Sequence, residues 1–155
     1  MGTFSKSLAS LGGYMAGNAR VVDFVKHNSR PFMFAASIPP AQAAAALASL
    51  RYLRAHPELV AHLNGLADRF RSELKGKGLN IIEAETPIVP IFTYEAYRTL
   101  EKCRKIYDGG VYVNSVLPPA APEGECMIRT SLMASLTDAL VDEAAGIIAE
   151  AINND

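Results

Sequence analysis

A lysine among small hydroxyl residues opens the chain, in the run Thr3-Phe4-Ser5-Lys6-Ser7, followed by Gly12-Gly13-Tyr14 and Ala16-Gly17. A lysine held in tight, partly dry surroundings loses some of its preference for the ammonium form, so its amine becomes a nucleophile towards a carbonyl carbon. Hydroxyls on Thr3, Ser5 and Ser7 can hydrogen-bond a phosphate. Glycines let a backbone pass close to a ligand or a neighbouring strand. Serine, lysine and glycine together also describe an ordinary solvated loop. The residue types alone therefore leave two readings open, an amine-based carbonyl site and a surface turn.

The wording of the motif favours the first reading. Thr3-Phe4-Ser5-Lys6-Ser7 with Gly12-Gly13-Tyr14 and Ala16-Gly17 resembles the cofactor-lysine motif of the α-oxoamine synthases, pyridoxal-phosphate enzymes of the aspartate-aminotransferase fold. The resemblance continues through Arg30-Pro31-Phe32-Met33-Phe34 and Ser37-Ile38-Pro39-Pro40-Ala41. It recurs at Pro118-Pro119 and at Met127-Ile128-Arg129-Thr130-Ser131-Leu132. The Ser-Lys-Ser-Leu wording leans towards serine palmitoyltransferase-like members. One departure stands out: members often carry histidine before the threonine corresponding to Thr137, where this chain has Leu136.

The resemblance implies a set of roles. Lys6 is the residue that bonds covalently to pyridoxal 5′-phosphate and later moves protons at the substrate α-carbon. Thr3 bonds the cofactor phosphate, and Ser37 lies where the family brings a loop from a neighbouring subunit to that phosphate. Arg129 receives the substrate carboxylate, a task suited to a planar guanidinium fork. The implied reaction condenses a small amino acid, serine favoured, with an acyl-CoA, losing carbon dioxide. A homodimer is implied as well. The family's cofactor lysine lies well past the middle of a longer chain, so this sequence reads as the C-terminal part of such an enzyme. The aspartate, the stacking group and the glycine-rich loop that complete the family site lie upstream of the lysine, and the 155 residues alone are expected to be catalytically incompetent. Two alternatives remain: a fragment of an aminotransferase, and a non-catalytic C-terminal domain used for dimerisation or scaffolding.

Composition sets bounds on these readings. Half of the residues are hydrophobic and 20% are charged, enough for a sizeable core and against disorder. The formal net charge is −1 and no basic stripe appears, which argues against nucleic acid as a partner. Cys103 and Cys126 lack metal-ligand spacing or a disulfide framework and read as free thiols of a reducing cytoplasm. Residues 31–50 carry no charge, but Pro39-Pro40 interrupts them and alanine dominates, so no membrane span is expected. No basic region followed by an apolar core marks a signal peptide at the N-terminus.

The elements that must position these groups follow from periodicity. A short strand is expected over residues 12–16 and a helix over 18–27 with Asn18 as its cap, while 28–40 read as irregular with Phe32 and Phe34 in the core. A helix from Ala41 presents Ala43, Ala46, Leu47, Leu50 and Leu53 on one face. A second begins at Pro57 and ends near Lys75-Gly76-Lys77-Gly78. Strands follow over 79–83 and 88–94, the latter confined to an edge or bulge by Pro90. A helix over 95–107 turns Tyr97, Leu100, Cys103 and Tyr107 inward. Strands over 111–116 and 126–132 precede a last helix capped by Thr137, with Leu136 and Val141 at staple positions. The buried face of that helix comprises Leu140, Val141, Ala144, Ile147, Ile148 and Ala151. This order predicts an α+β fold, the C-terminal portion of an aspartate-aminotransferase-like fold, with a small, mostly antiparallel sheet covered by helices on one face. Residues 1–40 are assigned to the end of a cofactor-binding large domain, and 41–155 to a C-terminal small domain with its linking helix.

Overall fold

Short pairing segments and strong helix caps shape the first part of the chain. The structure, a computed structural model, describes residues 1–154. Strand β1 (Gly2–Thr3) pairs antiparallel with β2 (Gly13–Tyr14), Gly2 opposite Tyr14 and Thr3 opposite Gly13. Helix α1 (Ala19–Asn28) starts where the Asn18 side chain accepts a hydrogen bond from the Arg20 amide at 3.0 Å, as the sequence predicts. A five-residue helix α2 (Arg30–Phe34) follows, capped by the Ser29 hydroxyl, with Pro31 near its start. Helix α3 (Pro40–Ala55) begins on the double proline, whose fixed φ suits a first turn.

The second part builds a sheet with helices against it. Helix α4 (Glu58–Gly76) leads to β3 (Ile88–Tyr94), α5 (Ala96–Asp108), β4 (Asn114–Val116), β5 (Cys126–Ser131) and α6 (Asp138–Asn153). The strands lie in the order β3-β5-β4, all antiparallel. Alternate residues Val89, Ile91, Ile128 and Thr130 are buried while Ile88, Tyr94, Arg129 and Ser131 on the other face are exposed, so helices cover one face only. Leu74 of α4, Ile106 of α5 and Ile148 of α6 pack against that face, each 0% exposed. Each such side chain contributes roughly 1.5–3 kcal/mol of burial free energy. These segments form two compact units, Met1–Pro57 and Glu58–Asp155.

Several expectations are corrected. Residues 30–34 are helical, because Ser29 and Pro31 supply a start signal. Phe32 and Phe34 are 66% and 80% exposed rather than core, and Ala46 is the one buried member of the expected α3 face. In the first unit only Ser10 and Ala46 are buried, so an apolar stripe there has no core to enter. Residues 79–83 form no strand; Ile81 makes a single antiparallel bridge to Ile91 beside β3. Helix α5 buries Thr99, Lys102 and Ile106, while Tyr97, Leu100 and Tyr107 are exposed. The Thr99 hydroxyl is satisfied by Glu95 O and by Thr93, and the Lys102 ammonium by Asn154 O at 2.7 Å, so polar side chains occupy the inner face at little cost. In α6 Leu140 is 48% exposed, and Ala145 and Ala149 share the buried face with Val141 and Ile148.

Candidate active site

Lys6 stands at the tip of the loop that β1 and β2 close. The Phe4 amide donates to Gly12 O at 2.9 Å, the Ser10 amide to Phe4 O at 2.9 Å, and the Ala9 amide to Lys6 O at 3.1 Å. The loop reverses through Ala9, whose φ of 47° lies in the left-handed region. Its base is tight: a Cβ on Gly13 would lie 2.5 Å from the Gly2 carbonyl oxygen. Glycine is therefore required there, because a methyl group would push the two strands apart. Phe4 and Tyr14 stack across the base with ring centroids 6.0 Å apart.

The side chains of this loop are available to a ligand. Lys6, Thr3, Ser5 and Ser7 are exposed, and among the described residues the Lys6 amine has no acidic partner and the three hydroxyls have no hydrogen bond. Ser37 is likewise exposed, and the next residue brings its segment to the loop: the Ile38 Cδ1 atom lies 2.9 Å from where a Gly12 Cβ would stand. Thr3, Lys6 and Ser37 thus belong to one unit. An amine for an aldehyde, with unengaged hydroxyls for a phosphate, is a donor set that fits pyridoxal phosphate.

Arg129 belongs to the second unit. It projects from the uncovered face of β5, paired in register with Pro90 and Asn114, and its guanidinium donates to Asn114 Oδ1 at 3.5 Å. No carboxylate faces it among the described residues, so its fork is open to a carboxylate ligand. Leu136 packs against the core, consistent with a staple to Val141 and with no side-chain role in chemistry. A concavity of about 610 Å³ in the same unit is lined by Phe70, Leu132, Leu140 and Ile147 among others, and holds none of the candidate residues.

Two residues outside the sequence-based set hold the lysine loop in place. Ser10 is 7% exposed, and its hydroxyl lies 2.6 Å from Gln42 O and 2.9 Å from Gln42 Oε1. The Leu11 amide donates to the same Oε1 at 3.3 Å. The signal for this contact is faint but present: Gln42 is the sole polar side chain between Pro40 and Ser49.

Comparison with known proteins places this geometry in a family. The family model described as aminotransferase class I and II matches residues 1–148. The chain is 44% identical over 144 residues to a serine palmitoyltransferase of Sphingobacterium spiritivorum, covering 93% of this chain and 36% of that protein. It is 37% identical over 151 residues to an 8-amino-7-oxononanoate synthase of Geotalea daltonii, covering 96% and 38%. Both relatives are α-oxoamine synthases. A high-resolution structure of a serine palmitoyltransferase carrying pyridoxal phosphate superposes with a TM-score of 0.88 at 32% identity, covering 97% of this chain and 38% of that one. The chain therefore spans somewhat over a third of the length of the relatives it matches.

Proposed function

The chain belongs to the aminotransferase class I and II family, and from that premise we propose that it carries the cofactor-lysine and substrate-carboxylate portions of a pyridoxal-phosphate-dependent α-oxoamine synthase. The parent activity condenses a small amino acid, serine favoured, with an acyl-CoA, and releases carbon dioxide and coenzyme A. The reading rests above all on the exposed Lys6 amine, without an acidic partner among the described residues, in a loop whose base is closed by strand pairing.

Each residue has a defined task in this reading. When bound, pyridoxal phosphate supplies an electron sink for charge developing at the α-carbon of an amino acid. Lys6 would hold the cofactor through its amine, and that amine, when free, would accept and return a proton at the substrate α-carbon. Thr3 donates its hydroxyl hydrogen to the phosphate, and Ser37 does the same towards the phosphate of a neighbouring subunit. Arg129 grips the substrate carboxylate with two parallel N–H donors, which fixes the bond that is to break. Residues 1–40 then serve as the end of the cofactor-binding domain and 41–155 as the small domain with its linking helix, in a homodimeric, cytoplasmic enzyme. Taken alone, the chain is proposed to be inactive, because its motifs offer no carboxylate for the pyridine nitrogen and no stacking group for the ring.

The test is direct. Wild type and Lys6→Ala are incubated with pyridoxal phosphate, reduced with borohydride and mapped by peptide mass. Cofactor fixed at residue 6 of the wild type supports the reading. Random labelling of surface lysines in both proteins would sink it. A non-catalytic dimerisation or scaffold role would then stand, favoured by the exposed apolar side chains Phe24, Phe32, Met33 and Phe34 of the first unit.

A further inference from the structure

We propose that Gln42 is a positioning residue for Lys6, acting through Ser10 and Leu11. The inference rests on the reading of Lys6 as the cofactor-bearing lysine. The loop from Phe4 to Gly12 is closed at its base by strand pairing, and its returning arm needs a second anchor if the amine is to stay in one place. That arm contains Ser10, one of two buried residues of the unit. Ser10 packs on the first turn of α3, where Gln42 presents two acceptors, its own carbonyl at 2.6 Å and its side-chain Oε1 at 2.9 Å. A hydroxyl carries one hydrogen, so these acceptors share it. The Leu11 amide, 3.3 Å from the same Oε1, fixes which end of the side-chain amide faces the loop. With the amide reversed, an N–H would oppose an N–H. Gln42 thus accepts from two consecutive loop residues, four and five positions beyond Lys6, from the first turn of α3.

The chemistry dictates which replacements preserve the anchor. Glutamate at position 42 keeps a side-chain oxygen that accepts from both Ser10 and Leu11, and its charge suits the first turn of a helix. Leucine keeps the bulk, loses the acceptor and leaves the Leu11 amide unpaired. Ser10→Ala removes the other half of the contact while sparing Gln42.

The experiment compares two lysines in one chain. The 155-residue wild type, Gln42→Leu, Gln42→Glu and Ser10→Ala are exposed to limiting pyridoxal phosphate and reduced with borohydride. The ratio of modification at Lys6 to that at Lys26, an exposed lysine of α1, is then measured by mass. Circular dichroism verifies that each variant keeps its helices, and if Gln42→Leu fails to fold, Ser10→Ala decides alone. The expected result is a ratio well above one in wild type, lowered roughly five- to tenfold in Gln42→Leu and in Ser10→Ala, the scale of one or two ordinary hydrogen bonds. Gln42→Glu restores it. A ratio unchanged in Gln42→Leu and Ser10→Ala would overturn the positioning role and leave the Lys6 reading intact. A ratio lowered equally by leucine and glutamate would overturn it too, since the acceptor would then be irrelevant. A ratio near one in wild type would remove the Lys6 reading itself, and this inference with it.

Discussion

At Gly13 there is no space for a methyl group, and that single fact governs the lysine loop. A Cβ there would meet the Gly2 carbonyl oxygen at 2.5 Å, and both are backbone-constrained. Gly13→Ala is expected to open the β1–β2 pairing and to abolish selective modification of Lys6, with faster amide exchange at Phe4, whose amide bonds Gly12 O. Unchanged exchange at Phe4 would contradict this account. Ala9 presents the opposite case. At a φ of 47° its methyl group crowds the following carbonyl. Ala9→Gly is therefore expected to stabilise the loop by up to about 1 kcal/mol, read as slower exchange of the Ser10 amide.

Among elements, α6 tests the capping and charge arguments. The Thr137 hydroxyl accepts from the Leu140 amide at 3.3 Å, and Thr137→Ala is expected to cost about 1 kcal/mol in a urea titration. A cost of a few tenths or less would mean that the staple alone sets the start of the helix. Helix α6 is tied to α4 by a bidentate pair, Arg69 Nε to Asp142 Oδ1 at 2.6 Å and Arg69 Nη2 to Asp142 Oδ2 at 2.5 Å. The hydrogen bond and charge of Arg69 hold the Asp142 carboxyl below its ordinary range. A carboxyl whose folded pKa is depressed contributes stability that is fully present above its unfolded value and is lost as pH falls through the folded one. The pair's contribution is thus complete above about pH 4 and fades below it. Asp142→Asn should lower the urea midpoint at neutral pH and flatten the acid limb of the stability curve. Parallel curves for the two proteins would show that this exposed pair contributes nothing measurable.

On the scale of the whole molecule, the two units differ in how much they bury. The second holds the continuous core of Leu66, Phe70, Val89, Ile91, Ile128 and Ile148, while the first buries only Ser10 and Ala46. Local opening is cheap where few apolar contacts must be broken. Hydrogen exchange should therefore be slowest in β3, β5 and α6, and faster in α1 and α3 despite their good caps. Equal protection of both sets of amides would contradict this ordering. Among the described residues no helix is long and apolar enough to cross a membrane, in line with the alanine-rich and proline-broken stretch over residues 31–50.

Features that depend on near neighbours along the chain are legible from residue order alone. Asn18 and Thr137 announce helix starts because capping is a contact within three residues, and Glu101 and Lys105 pair at 2.9 Å because one helical turn brings them together. Pro90 marks an edge strand because it lacks an amide hydrogen, and β3 indeed lies at the edge of its sheet. The lysine motif pointed to family and cofactor through its order of residue types. Tertiary structure decided which face of each helix is covered. The inner face of α5 carries Thr99 and Lys102, legible only once Thr93, Glu95 and Asn154 are seen to satisfy them. It also decided that Phe32 and Phe34 lie outside a core, since burial depends on what else packs nearby and not on the side chain alone. Gln42 was hidden for the same reason: its partners Ser10 and Leu11 are more than thirty residues away, and only the folded chain brings them within hydrogen-bond distance.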